Sequence, residues 1–426
     1  PSREPHAMAA EPGQPGAAGE GILVVGAGLA GLRTAEALRS NGYSGPLEIV
    51  GAEPHLPYNR PPLSKQALAT GPSLDTLVYP RRPTVADVTW TLGRAALAAD
   101  LDRRTVTLDD GTSRAFTGLV IATGVRSRRL GLGRDGAEPM LLRTLDDAIE
   151  LRAELGPGVR LVIVGAGFIG CEVAATAAGL GAEVLVVDPL PAPLAGVLGR
   201  RLGDAVRARL EALGVYVRTD TAVRAVTVGT DLAEPARYAV HLAPADGSAA
   251  EPDPVPADVV LEAVGSVPNV DWLAGTGLEL SAGVRCDEAH RVLRDGIPLP
   301  YAVAVGDVAR LPHPLLGELR IEHWTWPGDT AARSARSLLA GLGRGEPPQD
   351  PLTALPSFWS DLPGGRIQSF GLPQRGHADV RLLEGDWDGE CAVGYHVDGR
   401  LVGVALIGLA RRMMHYREAL LHDLTV

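Results

Sequence analysis

Apolar runs separated by glycine-rich turns occur twice, in the same order, along this chain. The first copy, GILVVGAGLAGLRTAEALRSNGYSGPLEIVGAE, covers residues 21–53, and the second, VRLVIVGAGFIGCEVAATAAGLGAEVLVVD, covers residues 159–188. Each copy contains an apolar run of strand length, a GxGxxG turn, an alanine-rich helical stretch and a second apolar run that ends in a carboxylate. Each copy therefore predicts a βαβ unit that binds a dinucleotide.

The glycines of each turn have separate physical roles. The first makes the tight turn, the second lets the backbone approach a pyrophosphate, and the third packs the helix against the strand. The N–H groups and the partial positive charge of the helix N-terminus then face the phosphates. The residues assigned to these turns are Gly26, Gly28, Leu29, Ala30 and Gly31 in the first copy, and Gly165, Gly167, Phe168, Ile169 and Gly170 in the second. Two such turns predict two bound dinucleotides.

Further apolar runs follow each unit. Residues 90–124 predict short strands, an Asp-Asp-Gly turn and a buried strand that ends at Ala-Thr-Gly, and residues 257–269 predict a similar strand ending. Residues 301–309 predict another buried strand, which ends at Gly-Asp, and from Pro351 onward short alternating strands precede a helical tail. The whole pattern predicts an α/β protein with two Rossmann-like domains and a C-terminal α+β domain.

Charge and cysteine spacing exclude several classes of protein. The formal net charge of −11 argues against a nucleic-acid-binding protein, which usually carries a basic stripe. Cys171, Cys286 and Cys391 have no spacing typical of a disulfide framework, a metal site or a CxxC redox centre. We therefore expect no metal, and we expect a reducing, cytoplasmic location.

Two segments resemble targeting or membrane sequences only superficially. Residues 1–20 lack the apolar region of a signal peptide and predict a disordered leader. The apolar run at residues 161–187 is interrupted by Glu172 and Glu183, so no membrane span is predicted.

Short motifs distributed from residue 21 to the C-terminus carry a family resemblance. They are, in order, GAGLAG, RPPLSK, IATG, LRTLDDA, GAGFIGCE, VGSVPN, VGDVA, EHW and PSFWSD. With this ordered set the chain resembles FAD-dependent pyridine-nucleotide oxidoreductases of the ferredoxin-reductase type, the family of putidaredoxin reductase and the reductases of aromatic-ring dioxygenases. The resemblance implies a glutathione-reductase-like fold. It places an FAD domain at residues 21–128 and 261–335, an NAD domain at 129–260 and a C-terminal domain at 336–426 that covers the flavin.

The resemblance also assigns residues to FAD beyond the first glycine turn. Glu53 would hold the adenosine ribose, and its place at the end of a strand supports this role independently. Asp307 would bind the ribityl chain, and Trp324 would lie beside the isoalloxazine ring. Arg143 would meet FAD, although LRTLDD is also typical of a helix start with Thr144 as the N-cap and an acid at the third helical position. The remaining implied FAD residues are Arg60, Lys65, Ala96 (beside the adenine), Ala122, Thr123, Gly124 and Gly306.

The acid that ends the second unit bears on the choice between NADH and NADPH. Asp188 favours an unphosphorylated ribose and repels a 2′-phosphate. Residues 189–191, Pro-Leu-Pro, supply no arginine to neutralise a phosphate, so NADH is expected. Arg200 and Arg201 lie further along and leave some room for NADPH, the less favoured alternative. The other implied NAD residues are Glu172 and Gly265.

Position 65 holds the only lysine of the chain, in the segment YNRPPLSK. The resemblance places Lys65 near the flavin, where thiol-using relatives keep a cysteine, and pairs it with Glu172. We therefore predict a catalytic charge pair, in which the compact ammonium favours the negatively charged reduced flavin and the carboxylate neutralises the buried ammonium. The alternative for Glu172 is a carboxylate that only stabilises the first turn of its helix.

The electron path follows from the absence of a thiol relay. Electrons are expected to enter as a hydride from NADH to FAD and to leave one at a time. The resemblance implies a [2Fe–2S] ferredoxin as acceptor, serving a monooxygenase or dioxygenase, with no nucleic-acid or membrane partner and a monomer or homodimer. The alternatives are a rubredoxin, a quinone or a small radical as acceptor, and a non-enzymatic redox-sensing flavoprotein.

One dipeptide departs from the family pattern. Trp326 and Pro327 stand where many members have Asn-Ala. We expect the extra indole either to cover the flavin or to change partner docking.

Overall fold

The computed structural model describes residues 21–229, 235–248, 253–352, 354–362 and 365–425. The predicted leader, residues 1–20, lies outside the described residues. The helices are α1 (Leu29–Ser40), α2 (Gln66–Thr70), α3 (Leu74–Leu77), α4 (Leu145–Glu154), α5 (Phe168–Gly179), α6 (Ala195–Glu211), α7 (Trp326–Gly341) and α8 (Met413–Thr425).

The first βαβ unit forms the centre of a mostly parallel sheet. In spatial order its strands are Arg291–Arg294, Ile297–Ala304, Gly118–Ile121, Ile22–Val25, Leu47–Gly51 and Thr89–Leu92. The strand that starts at Ile22 is buried on both faces because Ile22 and Val24 pack with Leu32 of α1, whereas Leu23 and Val25 pack in the core on the other side. Strand, turn and helix therefore meet at the carboxyl edge of the sheet, where α/β proteins bind ligands.

A smaller antiparallel sheet covers part of the first domain. Its strands are Ala96–Asp100, Thr105–Leu108 and Ser113–Ala115. Two further strands, Ala309–His313 and Gly317–Arg320, form an antiparallel pair, and Val284–Arg285 joins it in parallel. The strands predicted within residues 90–124 are thus confirmed.

The second βαβ unit builds a separate parallel sheet. In spatial order its strands are Tyr216–Arg218, Glu183–Val187, Arg160–Val164 and Val259–Glu262. An antiparallel sheet of Thr221–Val228, Tyr238–Pro244 and Val255–Ala257 packs beside it. The pair Val125–Ser127 and Ser266–Pro268 connects this region to the first domain. The strand Val259–Glu262 continues past the domain boundary predicted at residue 260, because it pairs with Arg160–Val164 along its whole length.

The C-terminal region forms an antiparallel sheet with α8 beside it. In spatial order its strands are Ser357–Leu362, Gly365–Gly371, Arg400–Ile407, Cys391–Val397 and Val380–Gly385. The predicted boundary at residue 335 falls inside α7. That helix is a continuous part of the first domain, since Ala335, Leu338 and Leu339 share one core with Leu32.

Together these sheets confirm the predicted α/β class with two Rossmann-like units and a C-terminal α+β region. Among the described residues, no helix is both long and apolar enough to span a membrane.

Candidate cofactor-binding site

A cavity of about 1000 Å³ opens at the carboxyl edge of the first sheet. Its wall contains most of the residues predicted to bind FAD, and α5 of the second unit reaches the same cavity through Ile169 and Glu172. The predicted FAD residues that line it are Gly26, Gly28, Leu29, Ala30, Glu53, Arg60, Ala96, Ala122, Thr123, Gly124, Arg143, Asp307 and Trp324. The chain therefore brings together residues that are more than two hundred positions apart in sequence, into a volume suited to a large ligand.

The first glycine turn is shaped to admit a phosphate. A β-carbon on Gly28 would meet no heavy atom within 4 Å, so this glycine faces open space. By contrast, Gly26 has a φ of 120°, and a β-carbon there would lie 2.1 Å from the Ala122 carbonyl oxygen. Gly28 is the N-cap residue of α1 and has no side chain to cap the helix, which leaves N–H groups of the first turn for a ligand. These features fit a dinucleotide pyrophosphate.

The second glycine turn repeats this geometry. Gly165 has a φ of 104°, and a β-carbon on Gly170 would lie 2.0 Å from the Gly165 carbonyl oxygen. A β-carbon on Gly167 would meet nothing closer than 3.9 Å. The carboxylate of Asp188 accepts the backbone N–H of Ala166 over 2.6 Å, which holds the acid against this turn. The second turn therefore also fits a dinucleotide.

Several residues predicted for the two cofactors lie outside the wall of the large cavity. Gly306 has a φ of 77° and packs closely against Ala30 of α1. A β-carbon on Gly306 would lie 2.9 Å from the Ala30 β-carbon. Gly265, with a φ of 97°, accepts a hydrogen bond from the N–H of Arg128 over 2.9 Å. The other residues predicted to bind a cofactor that do not line the cavity are Gly31, Lys65, Gly165, Gly167, Phe168, Gly170 and Asp188.

Glu53 and Arg60 form an ion pair in the wall of the cavity. Tyr58 completes the cluster, because its hydroxyl donates to Glu53 over 2.5 Å and accepts from Arg60 over 2.9 Å and from the Leu145 N–H over 2.8 Å. Burial is the largest cause that raises the pKa of Tyr58 above its usual value, so the hydroxyl stays protonated and able to donate. The cluster presents a fixed carboxylate to the cavity.

Arg143 and Asp307 form a second ion pair in the wall, with 3.1 Å between Nη2 and Oδ2. Burial raises the pKa of Asp307, and the Arg143 guanidinium partly opposes that effect. The backbone beside Arg143 also starts α4. Thr144 caps that helix and Asp147 completes a capping box, so the predicted helix start is confirmed while the Arg143 side chain still reaches the cavity.

The predicted pair of Lys65 and Glu172 is present, with 2.7 Å between Nζ and Oε2. Glu172 lines the cavity, whereas Lys65 lies behind the wall and also donates to the Pro61 carbonyl over 3.1 Å. Two serine hydroxyls complete the contacts of the carboxylate, Ser64 on Oε2 and Ser360 on Oε1, each over 2.5 Å. Glu172 lies beyond the first turn of α5, which contains no acidic residue, so the alternative of a carboxylate that only stabilises that turn is wrong.

The tryptophans near α7 occupy different environments. Trp324 lines the cavity, remains 44% exposed and donates its indole N–H to the Tyr79 hydroxyl over 2.6 Å. Trp326 is 2% exposed and packs in the core of the first domain with Trp272. The extra indole is therefore core rather than cavity wall, and it is Pro327, in the first turn of α7, that reaches the cavity.

The three cysteines lie outside the wall of the cavity. Cys171, Cys286 and Cys391 are buried free thiols. Burial raises the pKa of Cys171 to about 12. Within the described residues no group of three or more His, Cys, Asp or Glu side chains is arranged to hold a metal ion.

Three residues of the site were not found from the sequence. Tyr58 and Ser64 belong to the YNRPPLSK segment, so the segment was recognised although their contacts were not. Ser360 belongs to PSFWSD, a motif that the sequence identifies without a chemical role. No local signal in that motif specifies the partner of Ser360, because Glu172 lies 188 positions away.

Known proteins with related sequences and structures span nearly the whole chain. A family model described as pyridine nucleotide-disulphide oxidoreductase matches residues 21–328. The ferredoxin–NAD(+) reductase component of the anthranilate 1,2-dioxygenase system of Burkholderia cepacia is 36% identical, over 92% of this chain and 91% of the relative. Rhodocoxin reductase of Rhodococcus erythropolis is 32% identical, over 94% of this chain and 89% of the relative. The solved covalent complex of putidaredoxin reductase with putidaredoxin gives a TM-score of 0.80 at 28% identity, over 96% of this chain and 94% of that chain.

Proposed function

This chain belongs to the pyridine nucleotide-disulphide oxidoreductase family, and from that premise we propose that it is an NADH-dependent, FAD-containing ferredoxin reductase. The observation that carries the proposal is the shared cavity. Residues predicted for FAD line it, α5 of the second dinucleotide unit reaches it, and no described cysteine does. Relatives named as ferredoxin–NAD(+) reductase components, together with the putidaredoxin reductase complex, support the same conclusion.

The first domain would hold FAD through its turn and its two ion pairs. The open face of Gly28 and the N-terminus of α1 suit the pyrophosphate. Glu53, fixed by Tyr58, would accept hydrogen bonds from the adenosine ribose, and Asp307 would accept from the ribityl hydroxyls. Bound FAD supplies the two-electron acceptor for a hydride and releases electrons singly.

The second unit would hold NADH. Its turn repeats the open second glycine, and the Asp188 carboxylate lies against it as a buried negative charge. Such a carboxylate accepts hydrogen bonds from the ribose hydroxyls and repels a 2′-phosphate, which supports NADH over NADPH.

Lys65 and Glu172 would set the electrostatic potential at the point where the two cofactor sites meet. Glu172 forms part of the cavity wall, and Lys65 forms an ion pair with it from outside the wall. The positive charge of Lys65 is therefore separated from the cavity by the Glu172 carboxylate. A positive charge there lowers the energy of negative charge that arrives with a hydride. The proposal assigns them this tuning role and does not require either to transfer a proton.

The acceptor proposed is a [2Fe–2S] ferredoxin that serves an oxygenase, because relatives named as reductase components of dioxygenase systems match more than nine tenths of this chain. The buried, unpaired thiols suit a reducing cytoplasm. A monomer or a homodimer is compatible with the proposal.

The experiment is anaerobic stopped-flow mixing of the purified flavoprotein with NADH or NADPH, followed by a [2Fe–2S] ferredoxin, a rubredoxin or a quinone. We expect a yellow protein with bound FAD, faster flavin reduction by NADH, and rapid reduction of the ferredoxin. A protein without flavin, or a reduced flavin that passes electrons only to the quinone or rubredoxin, would overturn the proposal.

Two glycine variants provide matched controls for this experiment. Gly28→Ala and Gly167→Ala each add a methyl group that meets little of the protein, at backbone φ angles of −88° and −74° that alanine adopts readily. Gly28→Ala should weaken FAD retention, whereas Gly167→Ala should keep FAD and raise the KM for NADH. The opposite assignment, or no effect from either, would contradict the two-site interpretation.

A further inference from the structure

The Glu172 carboxylate is the point where three separate parts of the chain meet. Ser64 donates its hydroxyl to Oε2 over 2.5 Å, and Lys65 places Nζ 2.7 Å from the same oxygen. Ser360, from the C-terminal sheet, donates to Oε1 over 2.5 Å. One carboxylate therefore binds the first domain and the C-terminal region to the second dinucleotide unit.

Burial makes each of these donors important. Glu172 is 5% exposed, Ser64 is 6% exposed and Ser360 is 1% exposed, so water competes poorly for the carboxylate. A buried ionised carboxylate is costly unless its oxygens accept hydrogen bonds, and it has room for about four. The hydroxyls supply such bonds without adding net charge, whereas Lys65 supplies both a bond and a charge.

The segments that carry the two serines are held in place. Thr176 of α5 donates its hydroxyl to the backbone carbonyls of Ser64 and Glu172, each over 2.9 Å. Two positions before Ser360 on the same strand, the Phe358 ring lies 4.7 Å from the Phe168 ring, measured between centroids. The positions of both hydroxyls are thus fixed by packing as well as by the carboxylate itself.

We propose that Ser64 and Ser360 are positioning residues that hold the charge of Glu172 in one orientation and so set the ease of flavin reduction. This inference rests on the proposed function and adds the C-terminal sheet to the redox machinery. Among the described residues, Ser360 donates the hydrogen bond to Oε1 of Glu172, whereas Lys65 forms its ion pair with Oε2.

Loss of the Ser360 hydroxyl would change the potential in the cavity in a defined direction. Oε1 would lose its neutral donor, and the negative charge of Glu172 would be less dispersed beside the cavity wall. The negative charge that a hydride brings to the flavin would then be repelled more strongly by Glu172. We expect Ser360→Ala to slow NADH-dependent flavin reduction by about tenfold and to lower the flavin midpoint potential. A tenfold factor corresponds to a free-energy change within the range for leaving a buried acceptor without a hydrogen bond.

The test compares three variants by stopped-flow reduction and by spectroelectrochemical titration. Ser360→Ala should lower both rate and potential, and Ser360→Thr, which keeps the hydroxyl, should restore most of both. Ser369→Ala is the matched control, because Ser369 is 0% exposed in the neighbouring strand and its hydroxyl has no partner among the described residues. Ser369→Ala should leave rate and potential unchanged. A Ser360→Ala protein with wild-type rate and potential would overturn the inference.

A double-mutant cycle with Glu172→Gln separates positioning from general structural damage. If the hydroxyl acts through the carboxylate charge, Ser360→Ala should have little further effect on the midpoint potential in the Glu172→Gln background. An equal drop in both backgrounds would overturn the inference. If Ser360→Ala does not yield folded flavoprotein, Ser64→Ala takes its place in the same cycle. Failure of wild-type protein to be reduced by NADH would instead count against the proposed function.

Discussion

The Asp188 carboxylate and the backbone N–H of Ala166 are 2.6 Å apart, so the acid that ends one strand is tied to the glycine turn that follows the neighbouring parallel strand. The same carboxylate accepts the N–H of Leu190 over 2.8 Å. These bonds keep a buried negative charge beside the proposed NADH turn. A 2′-phosphate bound there would meet direct repulsion.

Asp188→Asn should therefore weaken the preference for NADH. Asparagine keeps the shape and one of the two acceptor oxygens but removes the charge, so we expect the ratio of kcat/KM for NADPH to that for NADH to rise about tenfold, equivalent to about 1.4 kcal/mol. Asp220→Asn is the control, because Asp220 is exposed and its φ of 51° is one that asparagine tolerates. A ratio that stays constant in Asp188→Asn would refute the proposed role of the charge.

Tyr58→Phe should loosen FAD and destabilise the protein. The change removes a donor to Glu53 and leaves the buried N–H of Leu145 without its acceptor. We expect a loss of about 1–3 kcal/mol in the free energy of unfolding, together with faster FAD release followed by flavin fluorescence. Tyr301→Phe removes a comparable buried bond, to the Leu101 carbonyl over 2.9 Å, away from the cavity. It should lower stability while leaving FAD release unchanged; equal FAD release from both variants would contradict the assignment.

His290 should make the protein sensitive to mild acid. It is 0% exposed, and burial lowers its pKa from 6.5 to about 4. The folded state keeps the ring neutral while the unfolded chain binds a proton below pH 6.5, so stability falls as the pH drops from about 6.5 towards 4 and then levels off, by at most about 3 kcal/mol.

The variant His290→Asn measures this contribution. Asparagine suits the φ of 68° at this position and does not titrate in the same range. We expect the urea midpoint of the wild type to decrease more than that of His290→Asn between pH 7 and pH 4.5. Parallel pH profiles would show that other groups account for the acid sensitivity.

The two dinucleotide units could be predicted from the sequence because their signals are local. Consecutive residues specify a glycine turn between a buried strand and a helix, and Gly26 and Gly165 adopt the positive φ that the turn requires. The capping box at Thr144 is equally local and is confirmed. Such features depend only on residues that are close in sequence, so a short sequence pattern is enough to predict them.

Contacts between distant segments could not be predicted in the same way. Ser360 reaches Glu172 across 188 positions, and nothing in PSFWSD specifies that partner. Similarly, the sequence left open whether Trp326 would lie over the flavin, and tertiary packing placed it in the core. The predicted domain boundaries at residues 260 and 335 each fall inside an element, because strand pairing and helix packing, rather than composition, decide where an element belongs.

The three cysteines should take no part in electron transfer. Burial raises the pKa of all three thiols, in the case of Cys171 to about 12, so the reactive thiolate form is disfavoured at pH 8. We expect no reaction with a thiol reagent such as DTNB in the native protein, and reaction of three thiols once guanidinium unfolds it. Flavin reduction by NADH should survive treatment with iodoacetamide and the substitution Cys171→Ala. A thiol that reacts in the native state with loss of flavin reduction would show that sulfur chemistry contributes after all.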